Sequence, residues 1–237
     1  TDIGQLSPLD TKLAAALPDI KLVPAPVGEW FALQWHWNEK PFNNPMLREA
    51  IAHAINRDRM NQILWDGKGK ITDSITPPGL WWSPTKVEHY AYDPDLARKL
   101  LKEGGIAPGT KLSLVAPSDD TLRRFAELVK GDLDAVGLDV QLQPVPQSQY
   151  YAKAVAHEIN FTPMRWTQRA DPDGLIQYLF ASNGDANTTG YSNPEVDKLI
   201  QEARTTTDIA DRKKLYDQIQ FLISRGLPYV LSLIHIS

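Results

Sequence analysis

The chain of 237 residues is long enough for one large domain or two small ones, and its 42% hydrophobic and 23% charged residues are typical of soluble globular proteins. Its formal net charge of −4 is spread without long runs of one sign, which argues against a surface for nucleic acid or an anionic membrane. Cysteine is absent, so disulfides and thiolate metal sites are excluded. No apolar run reaches the roughly 18 residues that a membrane span needs.

The two ends of the chain predict a piece of a longer protein. The opening TDIGQLSPLD has no initiator Met and lacks the basic and apolar regions of a signal peptide. The closing LSLIHIS, residues 231–237, is one translation frame of the mosaic end of a transposase sequencing adapter. We therefore expect residues 231–237 to be a non-native tail, and they carry no functional argument.

The first half of the chain predicts a strand followed by helices. WFALQWHW (30–37) is aromatic and apolar without turn residues, which is typical of a strand. From Pro45 to Leu64 apolar residues recur at steps of three and four, which predicts one long helix ending near residues 66–70. A proline-rich loop then leads to a second helix over residues 93–105, closed by a glycine pair.

The second half alternates regularly between strand and helix patterns. Strands over 111–116 and 138–145 enclose a helix over 121–137, and this order favours a right-handed parallel crossover. The remaining pattern predicts a helix, a strand, three further helices and a final strand, over residues 148–158, 159–166, 174–180, 193–204, 208–226 and 228–233.

Four of the predicted helices open with an Asx-Pro pair: Asn44-Pro45, Asp93-Pro94, Asp171-Pro172 and Asn193-Pro194. An Asx side chain accepts hydrogen bonds from the first free backbone amides, and proline loses nothing at the first helical position. Asp171 and Asp173 are therefore better explained as a helix start than as a pair of catalytic carboxylates.

Enzyme and metal motifs are weak throughout the sequence. The five histidines have no metal-ligand spacing, GKGK (67–70) lacks the spacing of a phosphate-binding loop, and no nucleophile elbow is present. We predict no catalytic residue, no metal and no cofactor.

Tryptophan is the unusual residue of the sequence. There are seven, and most lie in predicted strands, loops or turns rather than on the apolar stripe of a helix. Packing in the core explains such residues most simply. The alternative is an aromatic wall in a ligand cleft, for which Trp35, Trp81, Trp82 and Trp166 are the candidates.

Seven segments, in order, together resemble the extracytoplasmic solute-binding proteins of ABC importers, family 5, the dipeptide, oligopeptide and nickel class. They are NEKPFNNPMLREAIAHAINRDRM (38–60), GKGKITDSITPP (67–78), YDPDLARKLLKEGG (92–105), AELVKGDLDAVGLDVQLQ (126–143), W…ADPD (166–173), YSNPEVDKLIQEAR (191–204) and DRKKLYDQIQFLI (211–223).

This resemblance implies an α/β fold with a mixed sheet flanked by helices, a periplasmic-binding-protein-like lobe of type II, cluster C. It implies that residues 1–27 are the end of a preceding lobe and a hinge crossover, and that residues 28–230 are the second ligand-binding lobe. It also implies a monomer that closes over a small solute, delivers it to a membrane permease without catalysis, and works in the periplasm or on a lipid anchor outside the cytoplasm.

In peptide-binding members of that family, an Asp three residues after the strand-ending Trp pairs with the ammonium group of the peptide. Here the Trp corresponds to Trp166, but Arg169 stands three residues later, and the first acid is Asp171. A guanidinium suits carboxylates and repels an ammonium group. We therefore expect Arg169 to face an anionic or hydroxyl-rich ligand, unless it pairs with Asp171 or Asp173 at the surface.

The favoured ligand contacts are Trp166, Thr167 and Arg169, with Asp171 beside them; Trp35, Trp81 and Trp82 are weaker candidates. The favoured ligand is a peptide or related small solute. An oligosaccharide, stacked on tryptophan, is the alternative in the same class. From other classes, a hydrolase would need a nucleophile with an oriented base, and a protein interaction module would need an exposed apolar patch.

Overall fold

The computed structural model of the protein describes residues 14, 16–21, 28–76 and 79–235. The predicted end of a preceding lobe, residues 1–27, therefore lies mostly outside the described residues, as do Pro77, Pro78 and the last two residues of the predicted tail. The helices are α1 (Pro45–Ala54), α2 (Arg57–Trp65), α3 (Pro94–Glu103), α4 (Asp120–Ala135), α5 (Gln147–Val155), α6 (Asp173–Phe180), α7 (Pro194–Thr205) and α8 (Ile209–Gly226). The strands are β1 (Glu29–Trp35), β2 (Lys70–Ile71), β3 (Lys111–Pro117), β4 (Asp139–Val145), β5 (Phe161–Thr167) and β6 (Tyr229–His235).

The main sheet has four antiparallel strands in the order β2, β6, β1, β5. Its central strand β1 is buried from Trp30 to Trp35, which explains why the segment is apolar without alternation. Trp30 lies opposite Trp166 of β5, so the end of β5 is level with the beginning of β1. This register determines where the chain leaves the sheet after Thr167.

A second sheet contains the parallel pair β3 and β4, which confirms the predicted strand, helix, strand unit. The connecting helix α4 packs against β3, β4 and also β5. Thr162 of β5 joins the two sheets, because its hydroxyl donates a hydrogen bond to the Val115 carbonyl oxygen of β3 at 2.8 Å. The predicted α/β fold flanked by helices is confirmed, with its antiparallel and parallel strands in two sheets rather than in one mixed sheet.

The prediction of one long helix from Pro45 to Leu64 is wrong, because the chain breaks into α1 and α2 at Ile55 and Asn56. Asn56 caps α2 by accepting a hydrogen bond from the Arg59 amide, and its own amide donates to Asp132 Oδ2 of α4 at 3.0 Å. These two hydrogen bonds give the backbone amides near the break a polar partner. The break occurs even though the spacing of apolar residues in the sequence continues across it.

The Asx-Pro prediction is confirmed for three of the four helices. Asn44, Asp93 and Asn193 are N-cap residues whose side chains accept amide hydrogen bonds, each followed by proline at the helix start. At the fourth pair, Pro172 is not the first residue of the helix. Pro172 is the residue before α6, and the Asp171 side chain accepts from the Asp173 amide at 2.9 Å, forming a turn ahead of the helix.

The backbone of residues 231–235 continues β6 and pairs with β1. Backbone pairing places weak demands on side-chain identity, so the non-native origin of residues 231–237 stays a prediction. Within the described ranges, no helix is long and apolar enough to cross a membrane.

Substitution of Asp132 tests how much its hydrogen bonds stabilise the junction of α1 and α2. It is buried, and it accepts from the Asn56 amide and from Arg59 Nη2 at 2.5 Å. Burial raises the pKa of Asp132 more than these partners lower it. Asp132→Ala leaves the partly buried Asn56 amide without its acceptor, so we expect it to lower the free energy of unfolding by roughly 1–3 kcal/mol.

The matched control is Glu127→Ala on the same helix, which removes an exposed carboxylate paired with Arg123. A loss of at most about 0.5 kcal/mol is expected there. Both values come from urea denaturation of the 237-residue chain, and equal losses for the two variants would contradict the role given to Asp132.

Candidate functional site

The end of β5 opens into a surface pocket of about 520 Å³. Its walls come from α5, the end of β5, the following loop and α6. The lining residues are Tyr151, Arg165, Trp166, Thr167, Gln168, Arg169, Leu175 and Tyr178. Three predicted ligand contacts, Trp166, Thr167 and Arg169, are therefore brought together in one pocket.

At the end of β5, successive side chains point alternately into the core and toward solvent. Trp166 points inward and is 9% exposed, whereas its neighbours Arg165 and Thr167 are exposed. Gln168 leaves the strand but continues the pairing, because its amide donates to the Gly28 carbonyl oxygen. A Cβ at Gly28 would lie 2.6 Å from Gln168 Cβ, so this close approach requires glycine.

Two tyrosines frame the indole of Trp166. The ring of Tyr151 from α5 lies edge-on at 6.0 Å and that of Tyr178 from α6 at 6.5 Å between centroids. Their hydroxyl groups are 3.1 Å apart. Partial burial, followed by the hydrogen bond to Tyr178, raises the pKa of Tyr151 to about 12, so its hydroxyl is a neutral donor or acceptor at pH 7.

Two arginines lie in the pocket wall with different surroundings. Arg165 lies near two carboxylates, with Nε 3.8 Å from Glu29 Oε1 and Nη1 3.9 Å from Asp119 Oδ2. The Arg169 guanidinium carbon lies 5.8 Å from the centre of the Tyr178 ring. Such stacking holds the guanidinium without consuming its in-plane donors.

The two aspartates after Arg169 are engaged by other arginines. Asp171 has its two carboxylate oxygens 3.3 Å from the guanidinium nitrogens of Arg212. Asp173 Oδ1 lies 3.2 Å from Arg204 Nε. The alternative in which Arg169 pairs with these aspartates is not the arrangement of the structure.

Arg212 also connects Asp171 to one of the candidate tryptophans. Its guanidinium carbon lies 5.3 Å from the centre of the Trp81 ring and 5.5 Å from that of Tyr216. Trp81 is 36% exposed and does not line the pocket. Asp171 and Trp81 thus form a cluster with Arg212 beside the pocket rather than part of its wall.

The other two candidate tryptophans lie in the hydrophobic core. Trp35 stacks parallel to Phe42 at 5.8 Å, and its Nε1 donates to the Leu227 carbonyl oxygen at 2.9 Å. Trp82 is fully buried. Neither lines the pocket, and their environment matches core packing, the simpler of the two interpretations of the tryptophans.

Sequence reasoning did not identify Tyr151, Tyr178, Arg165, Gln168 or Leu175 as lining residues. Tyr151 and Tyr178 lie on helices where aromatic residues usually serve the core, and only the packing of α5 and α6 on β5 brings them to Trp166. Arg165 and Gln168 had a usable signal, because they flank Trp166 and Thr167 in sequence.

No group of three or more histidines, aspartates or glutamates that could hold a metal ion occurs among the described residues. His36 and His157 come together, with ring centroids 4.9 Å apart. Burial, and then the charge of His157, lowers the pKa of His36.

Comparison with known proteins relates the chain to solute-binding proteins. A sequence profile described as "Bacterial extracellular solute-binding proteins, family 5 Middle" matches residues 1–187. The dipeptide-binding protein of Escherichia coli K12 is 30% identical over 208 residues, which are 84% of this chain and 39% of that protein. The chain therefore spans well under half the length of this curated relative.

Two solved structures share the fold. A periplasmic binding protein, DppA, from Helicobacter pylori in complex with the peptide STSA has a TM-score of 0.89 and 25% identity, covering 96% of this chain and 45% of that one. A dipeptide-binding protein from Pseudoalteromonas sp. SM9913 in complex with Met-Leu has a TM-score of 0.89 and 27% identity, covering 97% and 47%.

The contact of Asp171 with Arg212 predicts a pH-dependent contribution to stability. Partial burial by itself would raise the pKa of Asp171, but the hydrogen bonds from Arg212 and the Asp173 amide outweigh it and lower the pKa. Asp171→Asn keeps an oxygen for the Asp173 amide and removes the charge. Because the Asp171 side chain is 56% exposed, we expect a loss of only about 0.5–1 kcal/mol at pH 7.

A lowered pKa in the folded state stabilises the protein above the ordinary carboxyl pKa, near 3.9, and this contribution disappears as the pH falls below it. Urea denaturation of both chains at pH 7 and pH 3 measures the difference. An Asp171→Asn effect that grows toward pH 3, or that is unchanged by prior Arg212→Gln, would contradict this assignment.

Proposed function

Because this chain belongs to the bacterial extracellular solute-binding proteins of family 5, we propose that it forms one ligand-binding lobe of a protein that delivers a peptide or related small solute to an ABC permease. Members of this family are binding proteins. The single observation that carries the proposal is the pocket at the end of β5, with its aromatic frame and its few polar groups.

In this proposal, residues 28–230 are the second lobe and residues 1–27 are the end of the preceding lobe with a hinge crossover. The preceding lobe would close over the open side of the pocket, exclude water and complete the contacts to the solute. The whole protein would act as a monomer in the periplasm, or outside the cytoplasm on a lipid anchor, without chemistry of its own.

A peptide-like solute is favoured over an oligosaccharide by the surroundings of Trp166. A sugar-stacking platform presents the open face of an aromatic ring. Trp166 is instead 9% exposed and has a tyrosine on each of two sides. A hydrolase is disfavoured because none of the described residues that line the pocket is a serine, a histidine or a carboxylate.

Tyr151 offers a direct test of the pocket in the whole protein that carries this chain. Solutes are first screened by thermal shift, because a bound solute raises the melting temperature by mass action. We then expect Tyr151→Ala to weaken the binding of the identified solute roughly 2- to 12-fold, which corresponds to the loss of one aromatic contact. Isothermal titration calorimetry measures the two affinities.

Tyr92→Ala is the matched control, since Tyr92 is 47% exposed, Tyr151 is 44% exposed, and Tyr92 does not line the pocket. If the affinity depended on Tyr92 and not on Tyr151, the solute would bind outside this pocket, which would contradict the proposal. Conversion of the solute into a product during the titration would instead favour the hydrolase.

A further inference from the structure

The charged groups of the pocket are unbalanced. Among the described lining residues there are two arginines and no carboxylate. Arg165 has Glu29 and Asp119 within 4 Å, as measured above. Arg169 has no ion pair with any residue in the ranges 28–76 and 79–230, so its positive charge is available to a ligand.

The nearest acids in sequence cannot reverse this charge. Asp171 is held by both nitrogens of the Arg212 fork and by the Asp173 amide. Asp173 lies against Arg204. A ligand ammonium group entering the pocket would therefore meet the Arg169 guanidinium without a free carboxylate to offset it.

We infer that this pocket receives the carboxylate end of its solute, with the exposed Arg169 guanidinium as the charged partner. The inference rests on the proposed function and names the ligand class for it. A peptide C-terminus or an N-acylated amino acid has such a carboxylate. One unpaired guanidinium matches the single charge of a carboxylate better than the double charge of a phosphate.

The test uses the whole protein and two small probes that differ in which end is charged. N-acetyl-L-alanyl-L-alanine has a carboxylate and no ammonium group, whereas L-alanyl-L-alanine amide has an ammonium group and no carboxylate. Isothermal titration calorimetry should detect binding of the first probe and at least tenfold weaker binding of the second.

Arg169→Gln should lower the affinity for the acetylated probe roughly 10- to 100-fold, because one charge-assisted contact is lost. Arg169→Asp should reverse the preference, so that the amide probe binds better. Arg123→Gln is the matched control, because Arg123 is an exposed arginine on α4 outside the pocket, and its substitution also removes one positive charge. Circular dichroism spectra of the variants should match that of the parent protein.

Several outcomes overturn the inference. They are failure of the acetylated probe to bind, equal or better binding of the amide probe, and an Arg169→Gln affinity equal to that of Arg123→Gln. If other solutes still bind the whole protein and depend on Tyr151, the proposed function survives and the carboxylate assignment alone is lost. If no solute of any class binds, both fall.

Discussion

The position of β1 between β5 and β6 is the constraint on which the rest of the structure depends. Its residues 30–35 are buried and its backbone is paired along both edges. A shift of one residue would exchange the two faces of a strand, so burial on both sides makes the register costly to alter. In that register the last residue of β5, Thr167, lies opposite Glu29. The chain then continues into the loop that contains Gln168 and Arg169.

Local patterns predicted most of the elements because their causes are local. Asn44, Asp93 and Asn193 cap the helices that they precede, and alternation identified β3 and β4. The break between α1 and α2 was missed for a different reason. Apolar periodicity reports the buried face of a helix, whereas the break depends on a hydrogen bond from Asn56 to Asp132, 76 residues away.

The candidate site divides in the same way. Trp166, Thr167 and Arg169 are close in sequence, so a single turn brings them together. Tyr151 and Tyr178 reach the same pocket only through the packing of two helices, which no spacing rule describes. Trp35 and Trp82 have the residue type expected of a cleft but are buried in the core, because aromatic side chains offer large apolar area to either environment.

Gly174, in the first turn of α6, has a consequence for the position of the Arg169 charge. A Cβ at this position would lie 3.1 Å from Arg169 Cδ, tighter than most real contacts, so the absence of a side chain leaves room for the arginine stem. A larger residue there would require the Arg169 stem to shift by a few tenths of an ångström. Gly174 is not itself a lining residue of the pocket, so in the proposed site the position of the Arg169 charge depends on a residue outside the pocket wall.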